Sequence, residues 1–134
     1  AELESLLRDK LPQASGLTKL HDLCVLSRGV SGRASRVELK WADQNGDEVV
    51  HVLDSEYRIR EVLHRGFLYS SAFAVRINRD AGGDIESVTL RGAGWGHGAG
   101  LCQIGALGMG LPGHDGDAIC QHYYPQATLE AVYP

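Results

Sequence analysis

The sequence predicts an α+β fold, mainly antiparallel β-hairpins with short helices, in which a glycine-rich loop leads into a C-terminal helical segment. Three observations predict it. Apolar and polar residues alternate in two stretches, around Val37–Trp41 and Phe73–Ile77, each followed by turn residues and a second apolar run. Short helix patterns lie at the start, middle and end of the chain. Glycines crowd between Gly92 and Gly116, so their excess needs a local cause.

The elements follow in order. Glu2 to Lys10 has acids early, bases late and Leu3, Leu6 and Leu7 on one face, an amphipathic helix whose charges suit its dipole. Pro12 ends it. His21 to Arg28 contains the apolar run Leu23, Cys24, Val25 and Leu26, which reads as a buried strand. Gly29-Val30-Ser31-Gly32 is a turn. A hairpin over 35–53 has Asn45-Gly46 at its tip. Asp54 or Ser55 caps a short helix over 55–64, with Gly66 suited to its C-terminal cap. A second hairpin spans 72–91 and turns at Ala81-Gly82-Gly83-Asp84. The segment Gly92 to Gly100 fits no regular element. Leu101 to Met109 forms a helix launched from it, and Asp115 or Gly116 opens a last helix over 116–123 that stops at Pro125. At 134 residues the chain is one domain, or a large part of one.

Composition narrows the function. A formal net charge of −4 argues against a nucleic-acid binder, which carries a basic face. No apolar run approaches the length of a membrane span. Cys24, Cys102 and Cys120 form no CxxC pair, and their spacing with His97 and His122 matches no zinc site, so neither metal nor cofactor is expected.

The chemistry concentrates in Arg91-Gly-Ala-Gly-Trp-Gly-His-Gly-Ala-Gly-Leu-Cys-Gln103. Glycine at 92, 94, 96, 98 and 100 allows backbone angles that other residues avoid and lets a ligand approach closely. Trp95 and His97 stand between them, an aromatic face for a sugar ring and an imidazole for hydrogen bonding, with a helix N-terminus just beyond. A loop that only bends a strand onto a helix, with Trp95 in the core and His97 buried and satisfied, would use the same residues. The spacing fits neither a dinucleotide fingerprint nor a phosphate loop. Cys102 is either a small apolar residue or a thiol activated by the helix start.

Gly94-Trp95-Gly96-His97-Gly98-Ala99-Gly100-Leu101-Cys102-Gln103-Ile104-Gly105-Ala106 resembles the signature GWGHGVGMSQYGA of the sporulation stage II protein D / amidase enhancer (SpoIID/LytB) family. Ile119-Cys120-Gln121-His122-Tyr123-Tyr124-Pro125 resembles the HYYPG-like run that follows it, with Gln126 in place of glycine. Arg28-Gly29-Val30-Ser31-Gly32-Arg33 resembles the family's R-x-x-SGR turn. Ile59-Arg60-Glu61-Val62-Leu63 and Leu68-Tyr69-Ser70-Ser71-Ala72-Phe73 resemble its IR-x-LL and L-x-S-x-x-F pieces. The likeness covers most of the chain, as the C-terminal part of such a domain. Cys102 departs from the usual serine.

That resemblance implies action on peptidoglycan in the cell envelope, outside the cytoplasm. Lytic transglycosylases of the family cleave between N-acetylmuramic acid and N-acetylglucosamine, using a general acid with a raised pKa. The family's acid lies in a segment like LPLEEYLxGVVxxEM, which these residues lack, so it is expected upstream. Glu56, Glu61, Asp84, Glu86, Asp115, Asp117 and Glu130 sit in no catalytic motif; Asp115 and Asp117 suit a helix start, and Glu56 and Glu61 a solvated helix face. Gly94, Trp95, Gly96, His97, Gly98, Gly100, Gln103 and Tyr123 are the expected substrate-binding residues, with His97 an auxiliary catalytic group. For Tyr123 and Tyr124, core packing is the stronger expectation. Arg60 is expected to bond within the domain. The implied partners are peptidoglycan glycan strands, with an amidase or the missing N-terminal half beside them. A non-catalytic module that enhances a cell-wall amidase, or a structural wall-assembly protein, would carry the same residues.

Overall fold

The computed structural model describes residues 2–132. The chain forms two compact units, Ala1–His97 and Gly98–Pro134. The α+β prediction holds. The first unit contains α1 (Glu2–Lys10), β1 (Lys19–Arg28), β2 (Ala34–Ala42), β3 (Glu48–Leu53), α2 (Glu56–Val62), β4 (Phe73–Arg79) and β5 (Ile85–Gly92). The second contains α3 (Gln103–Gly110) and α4 (Gly116–Tyr123).

Strands β1-β2-β3 form one antiparallel sheet, and β4-β5 a second. Central β2 alternates cleanly. Val37, Leu39 and Trp41 are fully buried on one face, where α1 supplies Leu7, the residue just after it Leu11, and α2 Ile59 and Val62. Arg8 of α1 lies over the Trp41 ring at 5.6 Å and donates from Nε to the Leu17 carbonyl at 3.0 Å.

The expectation that the run Leu23–Leu26 is buried throughout is corrected. Leu23 is buried, Cys24 and Val25 are half-buried, and Leu26 is exposed. The inward residues of β1 are Leu20 and Leu23, three apart, which a regular strand would turn to opposite faces. A register shift between Leu20 and Asp22 absorbs His21 as an extra residue and puts both leucines inward, against Trp41 and Leu39. Arg79 at the end of β4 donates to the His21 carbonyl and to Asp22, both at 2.9 Å, tying the second hairpin to this irregularity.

Three turns share one frame. In Gly29–Arg33, Asp43–Asp47 and Asp80–Asp84, the first residue's N–H donates to the fifth residue's carbonyl, and the fourth residue's N–H to the first's carbonyl. The fourth is Gly32, Gly46 or Gly83, each at positive φ, which is the three-residue hairpin loop with a glycine bulge. In the two acidic turns the first carboxylate also accepts two backbone N–H groups.

Ser55 caps α2, its hydroxyl accepting the Arg58 N–H at 3.2 Å. The expected cap at Gly66 is corrected: α2 closes at Leu63, whose N–H reaches the Ile59 carbonyl without a left-handed glycine. Asp115 caps α4 through the Ala118 N–H at 2.8 Å, as its position in the sequence suggests. Cys102 caps α3, which therefore begins at Gln103 rather than Leu101.

Candidate functional site at the glycine-rich segment

The first half of the glycine segment is held by an irregular strap, residues 67–72, between α2 and β4. Backbone bonds fix the strap on several sides. The Leu68 N–H donates to the Arg60 carbonyl at 3.0 Å, and the Ala34 N–H to the Ser71 carbonyl at 2.9 Å. From the glycine segment, the Ala93 N–H reaches the Ala72 carbonyl at 3.0 Å and the Gly96 N–H the Tyr69 carbonyl at 2.7 Å. Arg60 reinforces it, as a residue expected to bond internally should. Its Nε donates to the Leu68 carbonyl at 2.7 Å, its other arm pairs with Glu56 at 2.8 Å, and its guanidinium lies 4.4 Å from the Phe67 ring centre.

Arg33, the last residue of the first turn, closes the arrangement. Its Nε donates to the Gly96 carbonyl at 2.9 Å and its Nη2 contacts the Trp95 carbonyl at 3.4 Å. A charged donor on backbone carbonyls contributes on the order of 1.5–3 kcal/mol when both partners are desolvated, less at this half-buried position. Gly94, Gly96, Gly98 and Gly100 all take positive φ, between 70° and 86°, as the alternation predicts. A Cβ at Gly94 would sit 3.2 Å from the Arg33 guanidinium and 3.5 Å from the Ser70 hydroxyl.

Trp95 is not a core residue; it is 78% exposed. Its indole stacks on Tyr69, ring centres 4.5 Å apart and planes within 16°, and Tyr69 is itself 67% exposed. Such a pair contributes about 0.5–1.5 kcal/mol beyond area burial, enough to bias the indole toward one orientation while leaving aromatic surface to solvent. Beside it lies a hollow of about 190 Å³ lined by Leu68, Tyr69, Ser70, Phe73, Leu90 and the 92–94 backbone. A larger groove of about 340 Å³ lies elsewhere, between α1 and β5, with Glu2, Glu4 and Glu86 at its edge. Its lining includes none of the glycine-segment residues.

His97 is exposed and ends the first unit. Gly98, Gly100, Gln103 and Tyr123 belong to the second. There the Tyr124 hydroxyl accepts the Leu101 N–H at 3.1 Å and lies 3.2 Å from where a Gly100 Cβ would stand. The Tyr123 hydroxyl presses on α3 at Gly105, where any side chain would collide with it. Both tyrosines thus brace the second unit locally. The expectation that they pack in a core is corrected, since Tyr123 is half-buried and Tyr124 exposed. Gln103 opens α3 and is exposed. The Cys102 sulfur is exposed and accepts the Gly105 N–H at 3.4 Å.

Four of the candidate carboxylates, Glu56, Glu61, Asp84 and Asp115, are engaged in structural contacts. Glu56 pairs with Arg60 and Glu61 with Arg58, both half-buried rather than on a solvated face. Asp84 closes its turn and pairs with Lys19. Two carboxyls are shifted downward, the opposite of what a general acid needs. Burial pushes Glu4 up, but the Leu20 N–H and neighbouring positive charge outweigh it. Asp43 is lowered by the N–H groups of Asp47 and Asn45. The Cys24 thiol is raised by burial and by Glu38, which disfavours its thiolate. Among the described residues no group of three or more His, Cys, Asp or Glu is placed to hold a metal ion.

Tyr69, Ser70 and Arg33 were absent from the expected site residues. Their signal lay in the SGR turn and the LYSSAF segment, which the fold brings onto the Trp95 loop.

A family model spans residues 1–100, covering the whole first unit and the start of the second. The chain belongs to that family, described as Domain of unknown function (DUF8618). No curated protein and no solved structure matches the chain. The DUF8618 match thus includes Arg33, Tyr69 and Trp95 and ends before α3.

Proposed function

We propose that this protein acts on peptidoglycan in the cell envelope, outside the cytoplasm, gripping glycan strands at the Trp95 loop. In this reading it is part of a lytic transglycosylase-like domain of the SpoIID/LytB kind, whose general acid comes from outside these residues. The observation that carries the reading is the exposed Trp95, backed by Tyr69 and held through its backbone by Arg33. A sugar presents a face of C–H bonds that an aromatic ring covers well, and an oriented ring loses little entropy on binding. His97, exposed two residues later, would bond sugar hydroxyls or orient the acid. No helix among the described residues is long and apolar enough to cross a membrane.

The commitment of Glu56, Glu61, Asp84 and Asp115 to pairs, turns and caps favours a second reading, a glycan-binding module that enhances an amidase without cleaving. One experiment separates the two. Peptide-free glycan strands are incubated with the chain, with and without the upstream half of the domain, then sedimented and searched by mass spectrometry for 1,6-anhydromuramoyl ends. The enzyme reading expects binding in both cases and anhydro ends only with the upstream half. Binding without anhydro ends in either case leaves the enhancer reading. Strands that bind folded W95A as well as the parent would remove Trp95 from the site.

A further inference from the structure

We propose that β3 is the docking edge for an extended segment of a partner protein, apolar in its middle and carrying lysine or arginine at both ends, which joins the first sheet as a fourth strand. An unpaired strand edge is a row of N–H and C=O groups that folded proteins blunt or cover. The other strands here show such devices. Strand β1 is broken by register shifts, and Arg79 donates to its His21 carbonyl at 2.9 Å. Strand β5 carries Glu86 as an extra residue, since Asn78 pairs with Ser87 and Arg79 with Ile85. On β4, Arg28 donates to the Phe73 carbonyl at 2.7 Å.

Strand β3 has none of these. Its 6 residues pair with β2 in unbroken register. Its other edge makes no backbone bond to any described residue. The strand contains no lysine or proline, and Val50 and Val52 are exposed on the face turned away from the core. A regular, β-branched edge of this kind suits strand addition, in which main-chain bonds give affinity and side chains select the partner.

The charges choose the occupant. Asp47 and Glu48 stand at one end of β3 and Asp54 just past the other, all exposed and none in an ion pair among the described residues. Like charges directly opposite each other on neighbouring strands are destabilising. A second copy of β3 laid antiparallel brings Asp47 and Glu48 of each copy against Asp54 of the other, and laid parallel it brings Glu48 against Glu48. Self-pairing is therefore opposed in both directions. A strand with a cation at each end meets carboxylates at both ends, and β-branched residues in its middle cover Val50 and Val52.

The probe is the acetylated and amidated peptide Lys-Val-Thr-Val-Thr-Val-Lys, beside a second peptide in which glutamate replaces both lysines. Each is titrated into the intact chain at low ionic strength, and amide hydrogen exchange is followed by NMR. The lysine peptide is expected to slow exchange at those amides of 48–53 that β2 does not hold. It is expected to bind about tenfold tighter than the glutamate peptide, the gain from two end pairs. Added salt should shrink that advantage. In E48K/D54K, whose changes lie at exposed positions, the order of the two peptides is expected to reverse. Protection of these amides that appears without peptide and grows with protein concentration would place a second copy on the edge and overturn the assignment. Slowed exchange confined to other strands, equal affinity for the two peptides, or no binding of the lysine peptide would overturn it as well. The two peptides on the parent chain decide the matter even if E48K/D54K does not fold.

Discussion

The first unit and the second are built on different physics. The first buries Leu7, Leu39, Trp41, Ile59 and Val62 completely, and the irregular 67–72 strap packs Leu68 against that core. The second carries Leu101, Ile104, Leu107 and Leu111, yet none of its described residues is buried. Its order comes from local devices instead: two helix caps, a tyrosine hydroxyl on the Leu101 N–H, and a tyrosine seated at Gly105. The contrast shows that apolar content alone does not make a core. Side chains must converge from several elements, and two eight-residue helices offer few directions of approach.

Mutations sharpen the contrast. The largest effect is expected in the core: Leu39→Ala should destabilise the first unit by about 2–5 kcal/mol in urea unfolding, while Leu107→Ala changes stability by no more than about 0.5 kcal/mol. Equal losses would erase the distinction. Next comes Arg33→Ala, expected to cost about 1–3 kcal/mol and to raise the acrylamide quenching of Trp95 by loosening its loop. Arg33→Lys should recover little, because one ammonium cannot reproduce the guanidinium's divided contact. An unchanged Trp95 signal in folded R33A would mean that the strap alone holds the loop.

Acid gives a smaller effect. The Asp43 pKa is lowered in the folded chain by N–H donors, so its contribution to stability is complete above the unfolded value of about 3.9 and fades as pH falls through the lower folded value. D43N, which keeps a carbonyl acceptor and does not titrate, should therefore show a flatter loss of stability than the parent below about pH 4, with no difference in slope between pH 5 and 7. Smallest is C102S. A serine hydroxyl accepts the Gly105 N–H better than a thiol, so the α3 helical signal in circular dichroism should melt later, by a gain of about 0.5–1 kcal/mol. Earlier melting would show that the sulfur packs rather than caps.

Much of this was legible in the chain. Alternation at Val37, Leu39 and Trp41 reported the buried face directly, and the alternating glycines reported positive φ. The turn residues marked all three hairpin ends. Burial along β1 was not legible, because the bulge at His21 breaks the period on which such a reading depends. The site was half legible. Trp95 and His97 announced themselves by standing among glycines, whereas Tyr69 and Arg33 matter only through partners 26 and 63 positions away, Trp95 and Gly96. The SGR turn and the LYSSAF segment mark these residues, but nothing local in either pairs Arg33 with Gly96 or Tyr69 with Trp95. Nor does local sequence say whether Tyr123 faces a sugar or the next helix, which depends on how α3 and α4 are set against each other.

The turn at Asp43–Asp47 also has a chemical clock in it. Asn-Gly pairs age by attack of the glycine nitrogen on the asparagine side-chain carbonyl, which expels ammonia and closes a succinimide that water then opens to aspartate or isoaspartate. Here that nitrogen's proton is given to the Asp43 carbonyl at 3.2 Å, and the Asn45 amide is held by the Asp43 carboxylate at 3.3 Å. The closed hairpin thus shields Asn45, and each opening exposes it. Isoaspartate accumulating at position 45 would record the time that the Asp43–Asp47 turn had stood open.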